Sequence, residues 1–143
     1  MKVSEIMTKD VISLSVDDSI KHAAELMKEY NIGSIPVNAD DRGIVGIITD
    51  RDIILRCVAE DKDIKIQNVR SIMTTNPVVG DENINVCDAA RIMSERQIRR
   101  LPITSNNQLV GIVTLGDLAL EPNLQDEAEK ALSEISETCA HSI

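Results

Sequence analysis

The chain has 143 residues, a formal net charge of -9, no Trp, no Phe and one Tyr, Tyr30. That charge repels a nucleic-acid backbone and an anionic membrane surface, and the missing aromatics remove the rings on which single-stranded nucleic acid stacks its bases. The length suits one compact domain or two small halves sharing a core of Ile, Val, Leu, Met and Ala, which can close without disulfides or a metal.

Met1 to Thr8 lacks the continuous apolar stretch of a signal peptide, and the longest apolar runs, such as Ile44 to Thr49, are strand-sized. Cys57, Cys87 and Cys139 are odd in number and form no C-x-x-C pair, as expected of thiols in a reducing compartment. A cytoplasmic protein is the expectation.

The first predicted element is a short extended lead-in, Ile12-Ser13-Leu14. A helix follows, with Ile20, Ala23, Ala24 and Met27 spaced i, i+3, i+4, i+7 and with Asp18 or Ser19 able to cap it. Two strands come next, Ser34 to Val37 and Ile44 to Thr49, joined by the turn-forming Asn38-Ala39-Asp40-Asp41-Arg42-Gly43. A second helix starts near Asp52 and continues through Ile53, Ile54, Leu55 and Val58. A polar linker, Asp61 to Arg70, leads to a second series of the same kind. Val78-Val79 is its lead-in. Val86, Ala89, Ala90 and Met93 form its helical stripe, capped by Asn83 or Asn85. Its strands are Arg100 to Ile103 and Leu109 to Thr114, around Thr104-Ser105-Asn106-Asn107, and a last helix starts near Asp117. The tail from Pro122 onward is acidic and helix-prone, with Leu124, Ala128, Ala131, Leu132 and Ile135 as its apolar residues.

The two series are one motif written twice. Ile6-Met7-Thr8 matches Ile72-Met73-Thr74, and at the same offset Ala23-Ala24, Met27, Ile32 and Pro36 match Ala89-Ala90, Met93, Ile98 and Pro102. After one lost loop residue, Gly46-Ile47-Ile48-Thr49 matches Gly111-Ile112-Val113-Thr114, and Asp52 matches Asp117. The division expected is residues 1–60 as motif 1, 61–70 as linker, 71–121 as motif 2 and 122–143 as tail. One copy alone, a three-stranded sheet and two helices, leaves a sheet face bare. Face-to-face pairing about a pseudo-twofold axis would cover it and leave two related clefts of the kind ligands prefer.

Both second strands end in Thr-x-x-Asp at a strand-to-helix turn: Thr49 to Asp52, and Thr114 to Asp117. Two readings stand side by side. A threonine hydroxyl and a carboxylate on one side of such a turn, beside free helix-start N–H groups, can hold a ribose and an anion. The same spacing is also a capping box. Arg99-Arg100 has no counterpart in the first copy, which carries Gly33-Ser34. The two guanidinium groups could hold phosphates bidentately, or pair with some of the 24 acidic residues. His22 and His141 have no metal-ligand partners at the required spacing, and no nucleophile–base set, P-loop or G-x-G-x-x-G is present. Neither an enzyme nor a metal site is expected.

Ile-Met-Thr, the Ala-Ala helix, Ile35-Pro36-Val37 or Leu101-Pro102-Ile103, and Gly-Ile-(Ile/Val)-Thr-x-x-Asp together resemble a CBS domain. Two copies over residues 1 to 121 resemble a CBS pair, or Bateman module. Gln97-Ile98-Arg99-Arg100-Leu101-Pro102 is similar to the stand-alone group that includes hypoxia-response and general-stress proteins. The resemblance implies an α/β fold of tandem β-α-β-β-α motifs, a homodimer of pairs through the CBS helices, and a regulatory role with an adenosine-type ligand: AMP, ADP or ATP, or S-adenosylmethionine. It implies that Asp52 and Asp117 bind ribose and that Thr49 and Thr114 touch ribose or phosphate. Backbone at Ser34-Ile35 and Arg100-Leu101 would read the adenine edge. Val11-Ile12 and Pro77-Val78 would wall the base, and Arg99 and Arg100 would lie near phosphates. A ligand-free interaction module, in which Thr-x-x-Asp only caps helices and the dimer and tail dock a partner, is the competing expectation.

Overall fold

The computed structural model describes residues 1–121 and 125–141, with side chains in the last helix from Asp126 to Ile135. The chain divides into two compact units, the first Ile12–Pro77, the second Met1–Val11 together with Val78–Ile143. Each is a mixed α/β unit of the β-α-β-β-α kind.

The first unit runs β1 (Leu14–Ser15), α1 (Ile20–Tyr30), β2 (Ser34–Ala39), β3 (Gly43–Thr49), α2 (Asp50–Ile53), a π-helical turn (Ile54–Val58) and β4 (Thr74–Thr75). The sheet order is β1-β2-β3-β4, with β1 parallel to β2 and the remaining pairs antiparallel. The apolar stripe of α1 faces this sheet, and Ile20, Ala23, Ile35, Val37, Ile48, Cys57 and Val69 have no solvent exposure. Ser19 is the cap that forms, its hydroxyl accepting the His22 N–H at 3.0 Å. The remaining free donors at the start of α1 are met from the segment read as linker: Ile20 N–H donates to the Gln67 carbonyl and Lys21 N–H to that of Ile64. Residues 61–70 therefore pack on the unit. Their polarity hid this, because most of their contribution is made by backbone and by a single buried side chain, Val69.

The second unit runs β5 (Gly80–Asp81), α3 (Val86–Arg96), β6 (Arg100–Ser105), β7 (Gln108–Thr114), α4 (Leu115–Ala119) and α5 (Gln125–His141), with sheet order β5-β6-β7. Asn85 caps α3, accepting the Cys87 N–H at 2.8 Å. Helix α5 packs on α3 and α4. It buries Ala128, Ala131 and Ile135, and Glu134 accepts a hydrogen bond from Ser94 Oγ. The first unit has no such cover among the described residues: Ile54, Leu55 and Val58 are each about half exposed. Cys139 lies on α5 and His141 ends it, outside the described side chains. Pro122 and Leu124 lie outside the described residues. Among the described residues no helix is long and apolar enough to cross a membrane.

The units are offset from the repeat. Thr74, which opens the second copy, pairs with Ile47 of β3 in the first unit. Thr8, which opens the first copy, exchanges two 2.9 Å backbone hydrogen bonds with Ile112 of β7 in the second. Each sheet therefore gains a strand or bridge from the copy whose other elements build the other unit. A two-residue segment carries no periodicity, so the sequence showed only three strands per copy. The glycines of the repeated Gly-Ile-(Ile/Val)-Thr make room for this pairing. A Cβ on Gly46 would stand 2.6 Å from Met73 Sδ and 2.9 Å from the Thr74 carbonyl oxygen; one on Gly111 would press on Met7 and stand 3.0 Å from the Thr8 carbonyl oxygen.

Gly46→Ala is expected to lower unfolding stability by about 1–3 kcal/mol through this overpacking. Gly116→Ala, whose Cβ would meet nothing nearer than Thr114 Oγ1 at 3.6 Å, is expected to be neutral or to stabilise by up to about 1 kcal/mol. Urea unfolding of the two variants checks both, and equal midpoints would contradict the close-approach account.

Candidate functional site

Each unit has one turn at which β3 or β7 passes into a short helix, and each turn is a completed capping box. In the first unit, Asp52 N–H donates to Thr49 Oγ1 at 3.0 Å, while Asp52 Oδ2 accepts the Thr49 N–H at 3.0 Å. In the second, the corresponding distances for Asp117 and Thr114 are 3.1 and 2.8 Å. The two sequence readings of Thr-x-x-Asp thus meet in one structure. Capping uses the hydroxyl and one carboxylate oxygen, and the other carboxylate oxygen remains. The N–H groups expected to be free for an anion are partly used, since Asp52 N–H and Asp117 N–H are held by threonine. The first helix N–H is held as well: Asp50 N–H donates to the Gly33 carbonyl at 2.9 Å and Leu115 N–H to that of Arg99 at 2.8 Å.

That last pair of bonds ties the turn to the start of the neighbouring strand. Ser34 stands opposite Thr49 in the antiparallel ladder, and Arg100 stands opposite Thr114. Directly opposed residues share a face with Cβ atoms about 5 Å apart. Ser34, Thr49 and Asp52 are therefore brought together in the first unit, and Arg100, Thr114 and Asp117 in the second. Ile35 and Leu101 are fully buried, so it is their backbone, not their side chains, that borders the turns. Arg99 is exposed. Val11, Ile12, Pro77 and Val78 are all half-buried. Ile12 packs against the first core and Val78 against the second, whereas the described contacts bring neither Val11 nor Pro77 to a turn.

The remaining carboxylate oxygens differ. Asp52 Oδ1 lies 3.7 Å from Arg56 Nε, and this guanidinium, half exposed, also donates to the Ile72 carbonyl at 3.0 Å. The residue matching Arg56 in the second copy is Glu121, and Asp117 makes no second ion pair or hydrogen bond among the described residues. Arg100 Nε is buried and has no hydrogen-bond partner among them either. An open carboxylate oxygen and an unmet guanidinium donor thus flank Thr114. Arg56 and Glu121 went unremarked in the sequence because the second helices have no shared apolar stripe to align them. Among the described residues no group of three or more His, Cys, Asp or Glu side chains converges as a metal site would require.

The CBS domain model matches residues 3–59 and 69–122. The chain is 43% identical over 140 residues to the CBS domain-containing protein YhcV of Bacillus subtilis, covering 97% of this chain and 98% of that protein. It is 32% identical over 115 residues to hypoxic response protein 1 of Mycobacterium tuberculosis, covering 80% of each. Among solved structures it is similar to hypoxic response protein I with two coordinated zinc ions, with a TM-score of 0.76, 31% identity, and coverage of 83% of this chain and 97% of that one. It is similar to the CBS domain protein PAE2072 of Pyrobaculum aerophilum complexed with AMP, with a TM-score of 0.77, 26% identity, and coverage of 90% and 98%. It is also similar to the CBS domain pair of MJ0100 in complex with 5-methylthioadenosine and S-adenosyl-L-methionine, with a TM-score of 0.72, 31% identity, and coverage of 83% and 93%.

Thr114→Ala and Asp117→Ala are each expected to cost about 1 kcal/mol as lost caps. The double variant is expected to cost clearly less than the two together, because each residue's bond depends on the turn held by the other. Chemical denaturation of the cycle checks this, and strict additivity would contradict it.

Proposed function

The chain belongs to the CBS domain family, and from that premise we propose that it is a cytoplasmic regulatory CBS pair, not an enzyme, that senses AMP, ADP or ATP at its Thr-x-x-Asp turns. The observation that carries this reading is the second-unit turn. There Asp117 has a carboxylate oxygen to spare for ribose hydroxyls, and Arg100 Nε, buried and unpartnered across the ladder from Thr114, awaits an anion. A buried guanidinium donor without an acceptor is costly, and a phosphate oxygen is an acceptor of the right chemistry for it. The AMP complex of a CBS protein of similar fold supports the ligand class. S-adenosylmethionine, bound by another, has no phosphate and would leave Arg100 unmet, so the phosphorylated ligands fit this turn better. The half-exposed Ile54, Leu55, Val58 and Tyr30 of the first unit support a homodimer formed through its helices.

The completed capping boxes favour a second reading, in which the turns are purely structural and the protein is a ligand-free dimeric interaction module. Ala128, Ala131 and Ile135 of α5 are already buried within its own unit while Leu132 is half exposed, so in that case the acidic outer side of the tail, with Leu132, would meet the partner.

A thermal-shift series separates the two. AMP, ADP or ATP at 100 times its dissociation constant is expected to stabilise the protein by about 2.7 kcal/mol, and Arg100→Ser is expected to weaken binding of all three while leaving adenosine little changed. No shift with any member of the panel would leave the interaction module as the reading that stands.

A further inference from the structure

The two turns differ at a position that neither the repeat nor the capping box constrains. In the second unit the turn is Thr114-Leu115-Gly116-Asp117. Gly116 is exposed, and its N–H carries no hydrogen bond among the described residues. In the first unit the turn is Thr49-Asp50-Arg51-Asp52. Asp50 Oδ1 accepts the Arg51 N–H at 2.8 Å, and that donor is the one matching Gly116 N–H. The other oxygen lies over Gly33, where an added Cβ would stand 3.1 Å from Asp50 Oδ2. The first unit therefore seats the chain's own carboxylate on the donor that the second leaves open. The absence of a side chain at Gly33, in the place of Arg99, gives that carboxylate its room.

The charged residues around the turns differ in placement and not in number: Asp50 and Asp52 with Arg51 and Arg56 belong to the first, Asp117 and Glu121 with Arg99 and Arg100 to the second. An incoming phosphate would meet an open N–H at one turn and an anion already in place on the matching N–H at the other.

We propose that Asp50 is a charge filter: its carboxylate, seated over Gly33 on the Arg51 N–H, disfavours phosphorylated ligands at the first-unit turn and leaves that turn to an adenosine compound without negative charge. The proposal rests on the nucleotide reading above and adds a division of ligand class between the two turns.

The test is calorimetric titration of the full chain with AMP and with adenosine, in the unmodified protein and in the Asp50→Asn and Asp50→Leu variants. Asp50 is exposed, so both variants should fold, which their thermal midpoints check. The unmodified protein is expected to take one AMP per chain and, with AMP saturating, a further adenosine. Either substitution is expected to strengthen AMP binding at the first turn by about five- to tenfold, the size of a unit-charge interaction at contact distance in a water-like dielectric. A second AMP then enters the isotherm, adenosine stays within about twofold, and the gain shrinks in high salt. Asp50→Asn keeps an acceptor oxygen but not the charge. If it behaves like the unmodified protein while Asp50→Leu gains the second AMP, the filter is one of shape and the proposal is overturned. Two equivalent AMP sites in the unmodified protein would overturn it as well. No heat with either ligand in any variant would instead remove the nucleotide reading, and this proposal with it.

Discussion

Two reciprocal hydrogen bonds organise each half of this protein: a threonine hydroxyl holding an aspartate N–H, and that aspartate's carboxylate holding the threonine N–H. They set the point at which a strand stops and a helix begins. Around that point each unit fixes the backbone of its neighbouring strand through one further bond, to Gly33 or Arg99. Because the box uses only one oxygen of each carboxylate, the same residues that make the fold leave a polar atom pointing elsewhere. Capping therefore leaves one carboxylate oxygen of Asp117 unused. In the first unit Arg56 has taken up the remaining oxygen of Asp52.

A second constraint is the close approach of backbone at Gly46 and Gly111. A side chain at either position would collide with the methionine and threonine of an Ile-Met-Thr segment, so the sheet can be extended only where glycine stands. The extending segment always comes from the opening of the other sequence copy. This makes the repeat a poor guide to where one unit ends, and it explains why Val69, in a polar stretch, is fully buried.

Beyond these shared parts the halves differ. The second unit spends helix α5 on covering α3 and α4 and leaves an unmet arginine donor beside its turn. The first leaves apolar side chains of its second helix half exposed and fills its turn with a carboxylate of its own. Divergence at the helical surface, at the start of the neighbouring strand and between threonine and aspartate changes what each half can contact without disturbing the core.

Much of this was legible in the sequence. The helical stripes at Ile20, Ala23 and Met27 and at Val86, Ala89, Ala90 and Met93, the strand pairs with their turns, the tandem motif and the Thr-x-x-Asp positions all follow from local periodicity and local hydrogen-bonding chemistry. These act over a few residues and so leave a readable pattern. The sequence also showed that Arg99-Arg100 had no counterpart in the first copy. Three things were decided only by tertiary structure. The Ile-Met-Thr segments join sheets far away in the chain, because the edge they pair with and the glycines that admit them are separated from them by tens of residues. Asp52 and Asp117 differ, because one faces an arginine a helical turn away and the other does not. Asp50 lies over Gly33, because a backbone bond between residues 17 positions apart in the sequence folds the turn onto the strand. Spacing alone places a carboxylate on a turn; which donor it meets there depends on the chain that comes to lie beside it.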